Sequence, residues 1–231
     1  MANDKFFQKR KAKKKQDLAR REEQREPYSR VLLVVEGSKT EVLYFQELKN
    51  YFGIATANFE IDNNNITSPI KLTDRAERVY LKSKDKQDPF DKVFVIFDRD
   101  SHESYYEAIQ RCNTLGRKNL NTQKQPVFEA IYSYPCFEFW YLLHFIPTSR
   151  PYSAKGSKSI ADCCIDDLKN YLPEYKKSDD GYFERFLRDG SVHFAIENSR
   201  RILSQIENNG DNPCTNVHIV VNYLMNIKSE K

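Results

Sequence analysis

The fold class is decided by the stretch VLLVVEG, residues 31–37. Its first five residues form a short continuous apolar run, which is typical of a strand that is buried on both faces. A glutamate and a glycine end this run, and apolar residues then recur at helical spacing from Val42 to Phe52. Ser38 and Glu41 have the S-x-x-E spacing of a capping box. The sequence thus predicts a buried strand followed directly by a helix.

The same alternation of strand and helix continues to residue 145. Further strands are predicted at Phe59–Ile61, Val93–Phe97 and Val127–Tyr132. Helices are predicted from Pro69, which follows an N-cap serine, to Tyr80, from Tyr105 to a closing Gly116, and from Pro135 to Phe145. Strands that alternate with helices favour a parallel sheet with helices on both faces. We therefore expect an α/β fold.

The chain beyond Pro147 has a different, helical character. Three more helices are predicted, at Ile160–Tyr171, Val192–Ile206 and Pro213–Met225. The second of them carries a clear amphipathic stripe. We divide the chain into a basic flexible tail at residues 1–29, an α/β core at 30–147, and a helical C-terminal part at 148–231 that packs on the core.

The composition of the 231 residues is that of a folded, polar protein. Hydrophobic residues make up 39% and charged residues 30%, while 14 Tyr, 15 Phe and 1 Trp provide bulky side chains for a core. No run approaches the roughly 18 apolar residues of a membrane-spanning helix, and the charged start of the chain predicts no secretory signal. The five cysteines have no metal-binding spacing, and such a scattered set favours a reducing cytoplasm over a disulfide framework.

Positive charge is concentrated at the start of the chain. Residues 1–30 contain 11 Lys or Arg and 5 Asp or Glu, a balance of +6, whereas the rest of the chain has a balance of −2. Such a block can bind nucleic-acid phosphates without reading their sequence. It can equally be a solvated tail that keeps the protein soluble, and both interpretations stay open.

Acidic residues follow two of the buried strands. Glu36 comes directly after the first strand, and Asp98 and Asp100 come after another. Active sites of open α/β sheets lie at the carboxyl ends of the strands, and in an extended D-x-D both side chains project to the same side. Carboxylates in this arrangement suit Mg²⁺ (or Mn²⁺), and Gly37 would let a phosphate approach the backbone closely. The alternative is a set of surface acids that bind no metal.

These motifs resemble those of a known family. Glu36-Gly37-x-x-Thr40-Glu41, followed by Asp98-x-Asp100, is similar to the Toprim domain of topoisomerases, primases and overcoming-lysogenization-defect (OLD) nucleases. The stretches Pro135–Phe145 and Asn212–His218 and the basic lead-in narrow the resemblance to the RloB family of prokaryotic defence proteins, over nearly the whole chain. The resemblance implies a Toprim/Rossmann-like sheet, a metal-dependent nuclease activity and an AAA- or ABC-type ATPase partner encoded nearby.

The resemblance also implies roles for individual residues. Glu36 would be the general acid/base and a candidate metal ligand, while Asp98 and Asp100 would bind Mg²⁺. Glu138, in the most distinctive motif, could complete a two-metal site or could be a helix-start acid favoured by the helix macrodipole. Glu41 lies five residues after Glu36, whereas many OLD-type sequences have this glutamate at four. Glu41 is therefore a candidate ligand and equally a structural residue of the helix start.

Gly37, Lys39 and Lys155 are candidates for binding a substrate phosphate. The stretch at residues 37–40 lacks the first glycine of a phosphate loop, because residue 33 is leucine, so no ATP site is predicted there. Lys155 lies in a loop that contains serine and glycine, where a solvated lysine is an equal alternative.

Two histidines and the many aromatic rings are further candidates for functional groups. His102 follows the D-x-D motif closely enough to reach the site, whereas His144 lies in an apolar stretch and is expected in the core. Aromatic side chains can stack on bases, but most of the Tyr and Phe residues occupy core positions of the predicted helices and strands.

The sequence as a whole favours a metal-dependent endonuclease that cleaves phosphodiester bonds in DNA or in an RNA such as tRNA, in antiviral or abortive-infection defence. Expected partners are nucleic acid, the ATPase and a second copy of the chain in a homodimer, with no membrane. The alternative is a non-catalytic module that binds nucleic acid or a partner and keeps a vestigial acidic site. A strand-passing or priming enzyme has little support, because no further domain for DNA gating or nucleotide binding is recognised.

Overall fold

A five-stranded, mostly parallel sheet forms the centre of the protein. The computed structural model describes residues 30–37, 39–55, 59–63, 66–100, 102–206 and 211–227. The strands are β1 (Val31–Val35), β2 (Phe59–Asn63), β3 (Lys92–Asp98), β4 (Phe128–Tyr134) and β5 (Cys214–Thr215). Their order in the sheet is β2-β1-β3-β4-β5, and β5 alone among them runs antiparallel to its neighbour. The α/β class predicted from the sequence is confirmed.

Both faces of the sheet are buried, as the continuous apolar run of β1 predicts. All five side chains of β1 are inaccessible to solvent. Because successive strand residues point to opposite faces, Val31, Leu33 and Val35 belong to one core cluster and Leu32 and Val34 to the other. Two hydrophobic layers therefore fix the register of β1.

Helices cover both faces of the sheet. The helices are α1 (Thr40–Tyr51), α2 (Pro69–Asp85), α3 (Tyr105–Lys118), α4 (Glu138–Leu142), α5 (Ile160–Lys169), α6 (Tyr182–Arg188), α7 (Ser191–Leu203) and α8 (Val217–Asn226). Apolar residues of α2 and α3 pack in one core cluster, and those of α1 and of α4 to α8 pack in the other. Within the described residues, no helix is both long enough and apolar enough to cross a membrane.

The role predicted for Gly116, to close α3, is wrong. The helix continues to Lys118, so Gly116 lies inside it. A Cβ at this position would come within 2.8 Å of the carbonyl oxygen of Phe128 in β4. Glycine is therefore required here by close packing of α3 against the sheet and not by the end of the helix.

Two predicted helix starts are also wrong. The helix expected from Pro135 to Phe145 begins only at Glu138 and already ends at Leu142, as the short helix α4. The helix expected from Pro213 is preceded by β5, which pairs with the end of β4, and starts at Val217. Asn216 extends this pairing, because its side chain accepts a hydrogen bond from Tyr132 N and donates one to the Ala130 carbonyl. The C-terminal part thus contributes a strand as well as helices.

The topology brings the ends of β1 and β3 side by side. From β1 the chain crosses to β2 on one side and then returns to β3 on the other side of β1. Ligands of open α/β sheets bind outside the carboxyl ends of the strands at such a reversal. The tail predicted at residues 1–29 lies outside the described residues.

Candidate metal centre

An open cavity of about 380 Å³ lies at the carboxyl ends of β1, β3 and β4. Five acidic residues line it: Glu36, Glu41, Asp98, Asp100 and Glu138. Gly37, Lys39, Thr40 and Lys177 are also part of its wall. All the acidic residues that the sequence singled out therefore meet in one place.

Glu36 is held at the end of β1 by groups from the neighbouring strand β3. Its backbone N–H donates to the carbonyl of Ile96 at 3.0 Å, which continues the ladder of the sheet. Its carboxylate accepts a hydrogen bond from the Asp98 N–H at 3.2 Å, and the other carboxylate oxygen lies 3.0 Å from Nε2 of His102. Glu36 is thus fixed in position on both oxygens, and His102 reaches the site as the sequence indicated.

Asp98 and Asp100 do not lie on one extended strand, so the geometry predicted for the D-x-D motif is wrong. Asp98 is the last residue of β3, and its carboxylate accepts a hydrogen bond from the Phe137 N–H at 3.1 Å. Asp100 lies beyond the strand with φ of +33°, and its N–H donates to the Pro135 carbonyl at 3.2 Å. Both carboxylates line the cavity because the chain turns after Asp98.

Glu138 is the most completely buried of these acids, with 1% exposure. The hydroxyl of Tyr175 donates to its Oε1 at 2.7 Å, and Nζ of Lys177 lies 3.3 Å from the same oxygen. Thr40, at the start of α1, donates through its hydroxyl to the Lys177 carbonyl at 3.4 Å. These contacts hold the segment between α5 and α6 against the acidic cavity.

The predicted capping box at the start of α1 is wrong. The N-cap position is taken by Lys39, with no side-chain capping hydrogen bond, and Ser38 lies outside the described residues. The helix therefore begins one residue later than the box requires. Glu41, 8% exposed, instead places its carboxylate against Gly37 in the wall of the cavity.

The cavity concentrates negative charge in a poorly solvated place. Burial, together with the charges of Glu41 and Asp100 and against the opposing hydrogen bond from Asp98, raises the pKa of Glu36 to about 8. Burial, with the charge of Glu138, raises the pKa of Glu41 to about 7. Burial and then the charges of Glu41, Glu138 and Glu36 raise the pKa of Asp98 well above its usual value. Such a cluster is stabilised either by protons or by a bound cation.

The donor set fits a hard divalent cation. All five acids offer carboxylate oxygens, the ligands that Mg²⁺ and Mn²⁺ prefer. In the part of the chain that the structure describes, no group of three His, Cys, Asp or Glu side chains is arranged as a ready metal site. Mg²⁺ keeps several of its waters and needs only one or two protein carboxylates, so an open cavity of this kind suits it.

A model of one protein family matches the chain from residue 31 to residue 224, and the family is described as RloB-like protein. The chain belongs to the RloB-like family. The match extends from the first residue of β1 into α8 and includes all five acids of the cavity. No curated protein and no solved structure matches the chain.

The RloB-like chain does not bring every candidate residue to the acidic cavity. Gly37 and Lys39 line it, but Lys155 lies in a separate cavity of about 570 Å³ beside Arg150, Lys158 and Asp166. Lys155 and Lys158 flank a tight turn there, where each backbone N–H donates to the other residue's carbonyl. A phosphate bound by Lys155 would therefore not be one bound in the acidic cavity itself.

His144 has the environment that its apolar surroundings in the sequence suggest. It is 3% exposed, its Nδ1 lies 2.9 Å from the Trp140 carbonyl oxygen, and its ring stacks on Phe186 with 4.0 Å between centroids. Burial lowers its pKa to about 3. His144 therefore packs in the core as a neutral ring and does not line the acidic cavity.

Sequence reasoning missed Lys177 and Tyr175 as members of the RloB-like site. Both lie in the connection between α5 and α6, 39 and 37 residues after Glu138, and no motif in the local sequence marks them. Their only signal is one of composition, since two lysines and a tyrosine follow Pro173 in a loop. The folding of the C-terminal part onto the sheet decides that they reach the carboxylates.

Proposed function

We propose that this RloB-like protein is a Toprim-type endonuclease that uses Mg²⁺ (or Mn²⁺) to cleave phosphodiester bonds in nucleic acid. One observation carries the proposal: five carboxylates, carried by β3 and by the segments that follow β1, β3 and β4, line a single open cavity at the reversal of the sheet order. Phosphoryl transfer requires charge stabilisation around a phosphate, and carboxylate-bound metal ions provide it. Acidic residues of a purely structural role have no reason to be buried together.

Glu36 moves the proton in this proposal. Burial raises the pKa of Glu36 to about 8, so the carboxyl group can both hold and release a proton near neutral pH. The Asp98 N–H and His102 hold its two oxygens in fixed positions. Glu36 therefore takes a proton from the nucleophile or gives one to the leaving oxygen.

Asp98, Asp100 and Glu138 would hold the metal, with Glu41 as a further candidate ligand. When bound, Mg²⁺ supplies positive charge that stabilises the phosphate in the transition state. The Phe137 N–H orients the Asp98 carboxylate, and the Tyr175 hydroxyl orients the Glu138 carboxylate. Both carboxylates are therefore held in position for a metal ion. Lys177, whose side chain is 56% exposed, extends into the same cavity and adds positive charge that a phosphate can meet.

The wider biological role in this proposal comes from the RloB resemblance. The nuclease acts in the cytoplasm as an antiviral or abortive-infection effector, together with an AAA- or ABC-type ATPase encoded nearby. DNA and RNA, including tRNA, are both substrates to be tested. A homodimer is the proposed assembly of the chain itself.

The test is cleavage of a panel of DNA and tRNA substrates with Mg²⁺ or EDTA, with and without the ATPase. Glu36→Gln should reduce Mg²⁺-dependent cleavage by roughly 10²–10⁴-fold, because the amide cannot transfer the proton. Glu129→Gln, on β4 outside the cavity, is the matched control and should cleave normally. If the wild type with its ATPase cleaves nothing in Mg²⁺, the chain is a non-catalytic binding module.

A further inference from the structure

Tyr106 is a half-exposed aromatic residue at the start of α3, the helix that follows β3. It lies in the first turn of α3, directly after Tyr105, which is 1% exposed, whereas Tyr106 is 49% exposed. The loop that precedes α3 carries His102, whose Nε2 lies 3.0 Å from Glu36. Tyr106 thus follows, by four residues, a side chain that contacts a carboxylate of the acidic cavity.

The Tyr106 ring is held by several contacts although it is exposed. Its hydroxyl donates a hydrogen bond to Asp211 Oδ2 at 2.5 Å. The ring of Tyr105 meets it edge-on, with 5.0 Å between the centroids and 78° between the planes. The guanidinium carbon of Arg99 lies 4.9 Å from its centroid. A ligand that stacks on this ring would not have to immobilise it first.

Arg99, the middle residue of Asp98-Arg99-Asp100, ties this ring to the site. Its Nη1 donates to the His102 carbonyl at 2.9 Å, and its guanidinium also lies against the rings of Tyr105 and Tyr134 at 5.2 and 5.8 Å. Among the described residues it forms no ion pair, and its buried Nε has no hydrogen-bond partner. The described contacts of its guanidinium are therefore with rings and with a carbonyl oxygen.

Other exposed aromatic residues in the described chain do not share this position. Tyr51 packs against Phe52 and Phe183, and Tyr171 stacks on Phe145. Phe194, 44% exposed, lies on α7. Tyr106 differs from them because it combines exposure with an arginine on its ring and with a place at the carboxyl ends of the strands.

We propose that the Tyr106 ring, supported by Arg99, is a stacking site for an unpaired nucleobase of the substrate. Bases stack on aromatic side chains and on arginine planes, and they can do so only where they are not enclosed in a duplex. The inference rests on the proposed nuclease function and narrows its substrate class to single-stranded or looped nucleic acid. The nucleic-acid chain next to the stacked base then places one of its phosphodiester groups in the acidic cavity.

The test measures binding without cleavage. A fluorescent single-stranded oligonucleotide and the matching duplex are titrated in EDTA with the full chain, with Tyr106→Ala and with Tyr106→Phe. Tyr106→Ala should weaken single-strand binding by about 5- to 150-fold, which is the contribution of one base–aromatic stack. Tyr106→Phe keeps the ring and loses only the hydrogen bond to Asp211, so it should bind much more tightly than Tyr106→Ala, and Phe194→Ala should bind as the wild type does. Duplex binding should change in none of them.

The outcomes separate this inference from the proposed function. If the wild type binds single strands and Tyr106→Ala binds them equally well, or loses single-strand and duplex binding alike, the stacking site is refuted while the nuclease proposal stands. If the wild type binds no oligonucleotide, the stacking site is refuted, and the cleavage panel with Mg²⁺ and the ATPase decides the nuclease proposal separately. An unchanged thermal shift with Mg²⁺ in Tyr106→Ala verifies that the variant keeps its fold and acidic cavity.

Discussion

The carboxylate of Glu41 lies against Gly37, in the space that the Cβ of any other residue at position 37 would fill. Gly37 follows the end of β1, and Glu41 belongs to the first turn of α1. Because glycine has no Cβ, there is room for the buried Glu41 carboxylate in the cavity wall. This explains physically why a glycine follows Glu36, whether or not a phosphate also approaches there.

Gly37→Ala should therefore destabilise the protein by about 1 kcal/mol, the low end of the cost of overpacking, because the group that it displaces is the end of a flexible side chain. The new methyl group would force the Glu41 carboxylate away from its position. In the background of Glu41→Ala the same substitution should cost much less, because the clashing group is gone. Chemical denaturation of the two single variants and the double variant measures this coupling. Additive effects of the two substitutions would contradict the contact.

Asp98→Ala/Asp100→Ala should abolish the rise in melting temperature that Mg²⁺ is expected to cause in the wild type. Binding to the folded state alone stabilises it, and the variant lacks two of the proposed ligands. The variant should still fold, since removal of clustered negative charge relieves repulsion. Asp74→Ala/Glu77→Ala on α2 removes two acids outside the cavity and is the control. Calorimetry that gives equal Mg²⁺ shifts for all three proteins would exclude Asp98 and Asp100 as the ligands.

The stability of the metal-free protein should fall as the pH rises from about 5 to 8. The folded-state pKa values of Glu36 and Glu41 are raised to about 8 and about 7 from 4.5. A carboxyl group with a raised pKa contributes stability that is complete below its ordinary pKa and is lost as the pH passes through the raised value. Because Mg²⁺ replaces these protons, its stabilising effect should grow over the same range.

Melting curves in EDTA and in Mg²⁺ at several pH values between 5 and 8 measure this dependence. Glu36→Gln/Glu41→Gln cannot titrate at these positions, so its stability in EDTA should change less with pH than that of the wild type. If the wild type and the double variant have parallel pH profiles, the buried carboxylates do not carry the pH dependence.

Lys177→Ala should lower the stability of the metal-free protein at pH 8 by about 1–3 kcal/mol, between the values for exposed and buried ion pairs. Nζ of Lys177 lies 3.3 Å from a carboxylate oxygen of Glu138, so its loss leaves buried negative charge uncompensated. Lys177→Arg keeps the charge and should retain most of the stability. In saturating Mg²⁺ the deficit of the alanine variant should shrink, because a bound cation takes over the compensation. Denaturation with and without Mg²⁺ would refute this if the deficit were the same in both.

Local pattern predicted the main elements of the fold well but their ends poorly. The apolar runs around Val31–Val35 and Val93–Phe97 identified both central strands, because a strand that is buried on two faces has few alternatives. The ends depend on partners that are distant in sequence. Gly116 signals a helix end locally, yet its contact with the Phe128 carbonyl lets α3 continue past it.

The sequence by itself determined the α/β class, the two acidic strand ends and the grouping of Glu36 with Asp98 and Asp100. Each follows from short-range rules, namely periodicity and the placement of parallel strand ends at one edge. The tertiary structure alone decided that Tyr175 and Lys177 reach Glu138, and that Lys155 does not reach the cavity. These contacts form when the C-terminal part packs on the sheet. The positions of its loops are set by the burial of its apolar faces and not by a local sequence signal.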